Sequence, residues 1–307
     1  MMIETLSRPM NRRSFIRAGL AAVGALAAIG PAGSFGGNEN EKDVTRWAFL
    51  ADTHIPADVG DNYRGFYPYQ NLQKVVPGII SASPDGVAIA GDLARLTGEL
   101  GDYANLKKLL SPIAEKTPVF MALGNHDHRE NFLKTLDDTP GQKQPVRGKH
   151  VIIVDKGPIR LIILDSLLYT NKVPGLLGKA QRQWLEDYLR KCDDRPTILC
   201  FHHTLADGDG DLLDVPRLFR IIKPIRKVKA ILYGHSHAYE FSRFAGIHLI
   251  NLPAVGYNFS ETQPVGWVEA RLTAEGGDFT LHGVAGNKDQ DGSVRKLTWR
   301  KKQEDRA

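Results

Sequence analysis

Cysteine is nearly absent: the 307 residues include two, Cys192 and Cys200. That count excludes a disulfide scaffold and a structural zinc site built from thiolates. The two thiols themselves fit either a bridge or, with Cys200 on an apolar strand, a buried free thiol. Long apolar runs are missing too. The stretch nearest to a span is Ala18 to Ile29, twelve small or apolar residues, well short of the roughly 20 that cross a bilayer. No stable membrane span is expected. Glycine and proline follow no period and 42% of residues are hydrophobic, which excludes collagen-like, coiled-coil and intrinsically disordered chains. A strong charge of one sign is also lacking. Forty basic against 35 acidic residues give +5, but the excess sits at the two ends. Residues 1–37 hold four arginines and one glutamate, and residues 293–307 hold six basic and two acidic groups. The stretch 38–292 is left with 30 basic and 32 acidic residues, a net of −2. Such a core has no basic stripe, and nucleic acid is not an expected partner.

At the N-terminus, Asn11-Arg12-Arg13-Ser14-Phe15-Ile16-Arg17 leads into the apolar run, and Gly30-Pro31-Ala32-Gly33 comes after it. A basic start, a short apolar middle and a small-residue exit are the parts of an export signal. The paired arginines make it resemble a twin-arginine translocation signal. That resemblance implies a signal peptide with its exit linker over 1–37, the twin-arginine machinery as a partner during export, and a periplasmic or otherwise extracytoplasmic bacterial protein.

From Val44 onward, short β-rich apolar runs alternate with amphipathic stretches of helical period. Strands are predicted at 47–51, 87–90, 119–122, 151–154, 161–164, 197–201, 230–233 and 247–251. Two more, 265–272 and 279–284, alternate like strands with an exposed face. Helices are predicted at 70–81, 102–115, 129–136, 178–191 and 215–223. The pattern indicates an α/β domain over 44–286, with one large sheet or two, covered by helices. The basic stretch 293–307 is expected to fray.

The apolar strands end on polar residues in a consistent way. They deliver Asp52-Thr53-His54, Gly91-Asp92, Gly124-Asn125-His126-Asp127, His202-His203 and Gly234-His235-Ser236-His237. Loops at the carboxyl ends of α/β strands are where such folds gather ligands. Residues two apart on an extended segment share a face, so Asp52 with His54, and His235 with His237, are expected to point at one centre. The glycines allow sharp turns and close backbone approach. Carboxylate, amide and imidazole together suit Fe, Mn, Zn or Co better than a magnesium oxygen cage. Seven or eight donors exceed one ion's needs and suit two divalent ions with a bridging carboxylate and hydroxide. Other polar residues carry less. Asp207-Gly208-Asp209-Gly210-Asp211 opens like a calcium loop but has Leu212 and Leu218 where glycine and glutamate belong, so it reads as a solvated loop.

These five motifs, in this order over about 47–260, resemble the calcineurin-like metallophosphoesterase superfamily. The likeness is closest to its bacterial cyclic-nucleotide and glycerophospho-diesterases, which Asp165-Ser166, Gly175–Gly178 and Gln183–Glu186 resemble as well. The resemblance implies a four-layer αββα sandwich of two mixed sheets, with a dinuclear metal site at the strand C-terminal ends. It implies one metal on Asp52, His54, Asp92 and His237, with Asp92 bridging, and a second completed by Asn125, His202 and His235. His126 stands where the superfamily has a histidine that assists the leaving group, with Asp127 beside it to orient the ring. Thr204 replaces the proline that usually succeeds the His202 ligand. Arg95 occupies the position of the purple acid phosphatases' metal-binding tyrosine, so tyrosinate chemistry is not expected. The activity implied is metal-dependent hydrolysis of a small-molecule phosphodiester by a metal-bridging hydroxide. The alternatives are a phosphomonoesterase on the same site, or a catalytically silent metal-binding surface protein.

Overall fold

Alternation along the first strand determines how the layers are filled. In β1 (Thr45–Leu50), Trp47 and Phe49 join one core cluster while Ala48 and Leu50 join another. β2 (Gly86–Ala90) divides in the same way, Ala88 and Ala90 against Val87 and Ile89. A strand apolar on both faces must be covered on both. The computed structural model, which describes residues 43–136 and 140–301, shows how. The expected export signal over 1–37 lies outside the described residues.

Beside β1 and β2 lie β3 (Val119–Ala122), β11 (Pro264–Leu272), β12 (Gly276–Gly286) and β13 (Val294–Thr298), in the sheet order β13-β12-β11-β1-β2-β3. The second sheet runs β4-β5-β6-β7-β8-β10-β9. Its members are β4 (Gln142–Lys143), β5 (Ile152–Lys156), β6 (Ile159–Ile163), β7 (Thr197–Cys200), β8 (Val228–Tyr233), β9 (Glu240–Phe244) and β10 (Ile247–Asn251). Both sheets are mixed. β1, β2 and β3 pair in parallel, as do β6, β7, β8 and β10, with antiparallel strands at the flanks. The sheets face each other across Trp47, Phe49, Ile163, Cys200 and Leu232. Helices α1 (Pro68–Ala82), α2 (Leu100–Ala114) and α3 (Arg129–Leu136) bury Leu72, Leu106 and Phe132 on the outer side of the first sheet. Helices α4 (Lys179–Lys191) and α5 (Val215–Ile222) bury Leu185, Leu189 and Leu218 against the second. The result is the four-layer αββα sandwich. Cys192 and Cys200 are both free.

Three strands escape sequence reading: β4, β9 and β13. Each is the last strand on its side of a sheet. An edge strand has little surface to bury, so it carries no run of alternating apolar residues. β11 keeps the expected alternation in its second half, with Val268, Ala270 and Leu272 buried between the sheets and Glu269 and Arg271 half-buried on the other face, where Trp267 is covered by α1.

The expectation of a frayed tail from Ser293 is corrected by β13 and by the two residues after it. Trp299 is buried in the core between the sheets. Arg300 is 5% exposed, and its guanidinium donates to five carbonyls: Val228, Lys223, Ala245, Ile222 and Ile225. Three of these belong to the C-terminal end of α5 and the turn after it, where unpaired carbonyls and the helix dipole favour a cation. In return the Arg300 carbonyl accepts from Lys229 Nζ at 2.6 Å. Basic residues that looked like solvated tail thus join the end of one sheet to the other. Replacing Arg300 by Met leaves the five carbonyls without their donor. It is expected to lower the unfolding free energy by roughly 3 kcal/mol, read from the urea midpoint. An unchanged midpoint would make the segment peripheral.

Candidate metal centre

Each motif comes after a strand in the middle of its sheet or, for β3, at its parallel edge, and the loops of both sheets open at one end. β1 leads to Asp52 and His54, β2 to Asp92, β3 to Asn125 and His126, β7 to His202, and β8 to His235 and His237. The ladder continues past the strand ends: Asp52 N–H donates to Gly91 O and His54 N–H to Asp92 O. Adjacent loops are therefore laced together and their side chains have little freedom to part.

The convergence does not come from extended backbone, as alternation would have it. Asp52, His54, Asp92, His235 and His237 all have left-handed φ, between 47° and 74°. This conformation is uncommon for residues other than glycine and costs of order 1–3 kcal/mol at each position. Repeated left-handed turns send successive polar side chains into one cavity. Asp52 and His54 do share a centre with His237, whereas His235 belongs with Asp92 and His202. Gly91, at φ +84°, and Gly124 have no room for a side chain; a Cβ on Gly124 would collide with the Asp92 carboxylate.

Asp92 is the hub. Its Oδ2 lies 3.3 Å from His202 Nε2, 3.7 Å from His54 Nε2 and 4.0 Å from His126 Nε2, while Oδ1 accepts the His126 N–H at 2.8 Å. Asp52 Oδ1 is 3.3 Å from His237 Nε2, and the Asp52 carboxylate accepts the His235 N–H. Asn125 Oδ1 sits 3.2 Å from His202 Nε2. Both aspartates are buried.

The histidines share one further feature. Each donates from one ring nitrogen to a backbone carbonyl: His54 to Arg95 O, His126 to Leu96 O, His202 to Ala90 O, His235 to Gly210 O and His237 to Tyr257 O. A carbonyl only accepts, so that nitrogen carries the proton and the other faces the cavity. The His54 and His237 nitrogens left over face each other at 3.1 Å, and so do those of His202 and His235. Two lone pairs at that distance repel unless a proton or a cation lies between them. Histidine whose far nitrogen is bonded to a carbonyl is the usual form of a metal-ligating imidazole, and the donor set fits divalent metal.

The charge balance points the same way. Burial pushes the His54 imidazole down to about 3, and burial with the neighbouring His202 lowers His235 to about 4, so both are neutral ligand forms. Burial opposes charge on the carboxyls as well, yet His202, His126 and His54 hold Asp92 well below the carboxylate range, and His237 and His202 lower Asp52. Against its own burial, His202 is held up to about 9 by Asp92 and Asp52. Two buried carboxylates drawing a proton onto one imidazole exert the attraction that a divalent cation answers.

Asp127 does not orient the His126 ring, which Leu96 O holds instead. Its buried carboxylate accepts from the backbone N–H groups of Leu93, Ala94 and Gly124 and from Tyr103 Oη, while Tyr103 Oη accepts from His128 N–H. A carboxylate ringed by backbone donors braces the loops that carry Asp92 and Asn125. Burial and the nearby Asp92 raise it to about 7. His128 also accepts from Asn131 N–H at the start of α3. Arg95 is tied to Asp61 at 2.9 Å and lies over the Tyr63 ring. Ser166 Oγ accepts from the backbone N–H of His202 and His203 and donates to His203 Nδ1.

The site opens into a cavity of about 370 Å³. Among the loops around it, 167–177 contributes Val173, and 204–215 contributes Thr204, Gly208, Gly210 and Asp211. The loop 55–69 contributes no wall; its Tyr63 packs on Tyr257 instead. The stretch after β10, which carries no ligand motif, supplies Tyr257 and Phe259. Only the unexpected aromatics after an ordinary strand hinted at it.

An αββα sandwich with an aspartate–histidine cluster at the strand ends defines a metal-dependent hydrolase architecture. Residues 45–239 match the calcineurin-like phosphoesterase family, and the chain belongs to that family of metal-dependent phosphoester hydrolases. It is 27% identical over 253 residues to the 3′,5′-cyclic adenosine monophosphate phosphodiesterase CpdA of Haemophilus influenzae, covering 77% of this chain and 88% of that protein. It is 26% identical to the glycerophosphodiester phosphodiesterase GpdQ of Enterobacter lignolyticus, over 59% of this chain and 67% of that one. Its fold is similar to that of a dimetal phosphatase from Danio rerio, with a TM-score of 0.67 at 16% identity, over 84% of this chain and all of that one. No helix among the described residues is long and apolar enough to cross a membrane.

Proposed function

We propose that this chain is an exported phosphodiesterase whose site takes two divalent ions. Asp52, His54 and His237 would hold one, Asn125, His202 and His235 the other, and Asp92 both. The observation that carries the reading is the set of imidazoles proton-locked by carbonyls and turned toward two buried carboxylates. The diester preference rests on relatives named for cyclic-nucleotide and glycerophosphodiester hydrolysis. The extracytoplasmic address, and the twin-arginine machinery as export partner, rest on Arg12-Arg13 and the short apolar run after them.

Bound divalent ions supply Lewis acidity toward the phosphoryl oxygens and make water nucleophilic near neutral pH. The chain supplies position and a proton. Asp52 and Asp92 keep the site anionic, so it accepts cations before it accepts a phosphate. His126 meets the His54 ring edge-on at 5.3 Å but is more open than the buried His54, His202 and His237: its side chain is 20% exposed, it lines the cavity, and Leu96 O holds its Nδ1. With Nδ1–H given to Leu96 O, the ring acts as a proton donor in its doubly protonated form, in which Nε2 is placed to deliver a proton to the departing alkoxide as the P–O bond breaks, while water provides the new P–O bond.

Protein recovered from the periplasmic fraction is expected to carry about two equivalents of divalent metal by elemental analysis. It should hydrolyse bis(p-nitrophenyl) phosphate faster than p-nitrophenyl phosphate and lose both activities to a chelator. Turnover that survives complete chelation would refute the metal mechanism. A faster monoester rate would move the reading to a phosphomonoesterase. Stoichiometric metal without turnover would leave a silent metal-binding protein.

A further inference from the structure

The floor of the cavity is made of carboxylates and imidazoles, but part of its rim is not. Phe259 is 49% exposed and Val173 55% exposed, and both line the cavity. Val173 lies beside the Gly210 turn whose carbonyl holds His235. Phe259 is held more firmly. Its ring stacks on the His237 imidazole with centroids 4.2 Å apart and planes at 26°, and its carbonyl accepts from Arg64 Nη2 at 3.0 Å. With one face on His237, the ring has Tyr257 edge-on at 5.7 Å and the Arg64 guanidinium 5.9 Å from its centroid, and the rest of its surface is open. Leaving a large aromatic side chain open to water beside a polar site costs the free energy its burial would return. A site for phosphate alone gains nothing from it.

We propose that Phe259 is a specificity-determining residue that selects phosphoesters carrying a flat heteroaromatic ring, a nucleobase, over those carrying an aliphatic alcohol. The ring of the substrate stacks on Phe259 while its phosphate occupies the polar floor. Val173 adds apolar contact on the His235 side. Phe259 offers a π-face and no hydrogen bond, so the selection is for aromatic flatness and not for one base over another. The proposal rests on the phosphodiesterase reading only for where the phosphate sits, and it is tested by binding, without turnover.

Isothermal titration of the metal-loaded full-length protein with adenosine 5′-phosphate and with sn-glycerol 3-phosphate makes the comparison. The wild type is expected to bind the nucleotide about tenfold more tightly or better, the size of one base–aromatic stack. Phe259→Ala should bring the two ligands within about twofold of each other. Phe259→Leu should do the same, since it keeps the apolar area but not the stack, and Phe259→Trp should keep the preference. Equal affinities in the wild type, or a preference that survives in Phe259→Ala, would overturn the proposal. So would an equal loss for both ligands, which would make Phe259 a prop for His237. A preserved nucleotide preference in a protein that hydrolyses no diester would count against the phosphodiesterase reading and not against this one.

Discussion

Replacing Asp92 by Ala is expected to lower kcat/KM on a phosphodiester by roughly 10³-fold or more, and to cut bound metal from two equivalents to one or none. The size stems from its place. Asp92 belongs to two of the three donor clusters found among the described residues, and its Oδ2 faces rings from both halves of the site. Taking away that carboxylate removes a full negative charge from a buried cavity and leaves His54 and His202 to share the more distant Asp52, at 3.9 and 4.0 Å. About 4 kcal/mol of transition-state stabilisation from a bound metal corresponds to three powers of ten. Asp92→Asn separates charge from shape, because an amide oxygen can still accept the His126 N–H that Oδ1 now takes. It is expected to keep a wild-type circular dichroism spectrum and to share the activity loss. Full metal content with wild-type turnover in either variant would remove Asp92 from the centre of the mechanism.

His126→Ala should cost roughly 10²–10⁴-fold on a diester with an alkoxide leaving group, the range of general acid catalysis. With p-nitrophenolate as the leaving group the loss should shrink to a small factor, because that anion departs without a proton. The dependence on leaving group separates a proton donor from a structural prop. His126 shares a donor cluster with His54 and Asp92, so metal content is measured beside the rates, and a proton donor is expected to leave it unchanged. Equal losses on both substrates, or loss of metal, would assign His126 to holding the site together.

Asp127 departs from the role that its place in the motif suggests. It stands next to His126, which invites the idea of a carboxylate orienting an imidazole. In the folded chain, Asp127 turns inward to three backbone N–H groups and Tyr103 Oη, and the orienting partner is a carbonyl thirty residues away in sequence, Leu96 O. Main-chain partners carry no side-chain signature, so no motif announces them. The same holds for the carbonyls of Arg95, Ala90, Gly210 and Tyr257 that set the other four rings. Phe259 was hidden for a related reason: its distance from any ligand motif is closed only by the loop after β10.

Much of the fold was legible because burial leaves a pattern. The central strands read as short apolar runs because both of their faces are covered, and every predicted helix is present to within two residues at each end. The edge strands β4, β9 and β13 left no such pattern, and the C-terminal arginine read as tail because its five carbonyl partners lie more than fifty residues away in sequence. Sequence by itself determined the inventory of candidate donors: which aspartates, asparagine and histidines terminate the strands, and in what order. It also located the basic excess outside the core, at the N-terminal arginines and the last fifteen residues. Only the tertiary structure decided how those donors meet, because the decisive interactions join residues far apart in the chain. Left-handed turns aim the side chains, carbonyls from other loops choose the tautomers, and two sheets facing each other bring β1–β3 and β7–β8 to one cavity. The same folding turned part of the basic tail, Arg300, from a solvated charge into a buried cap on α5.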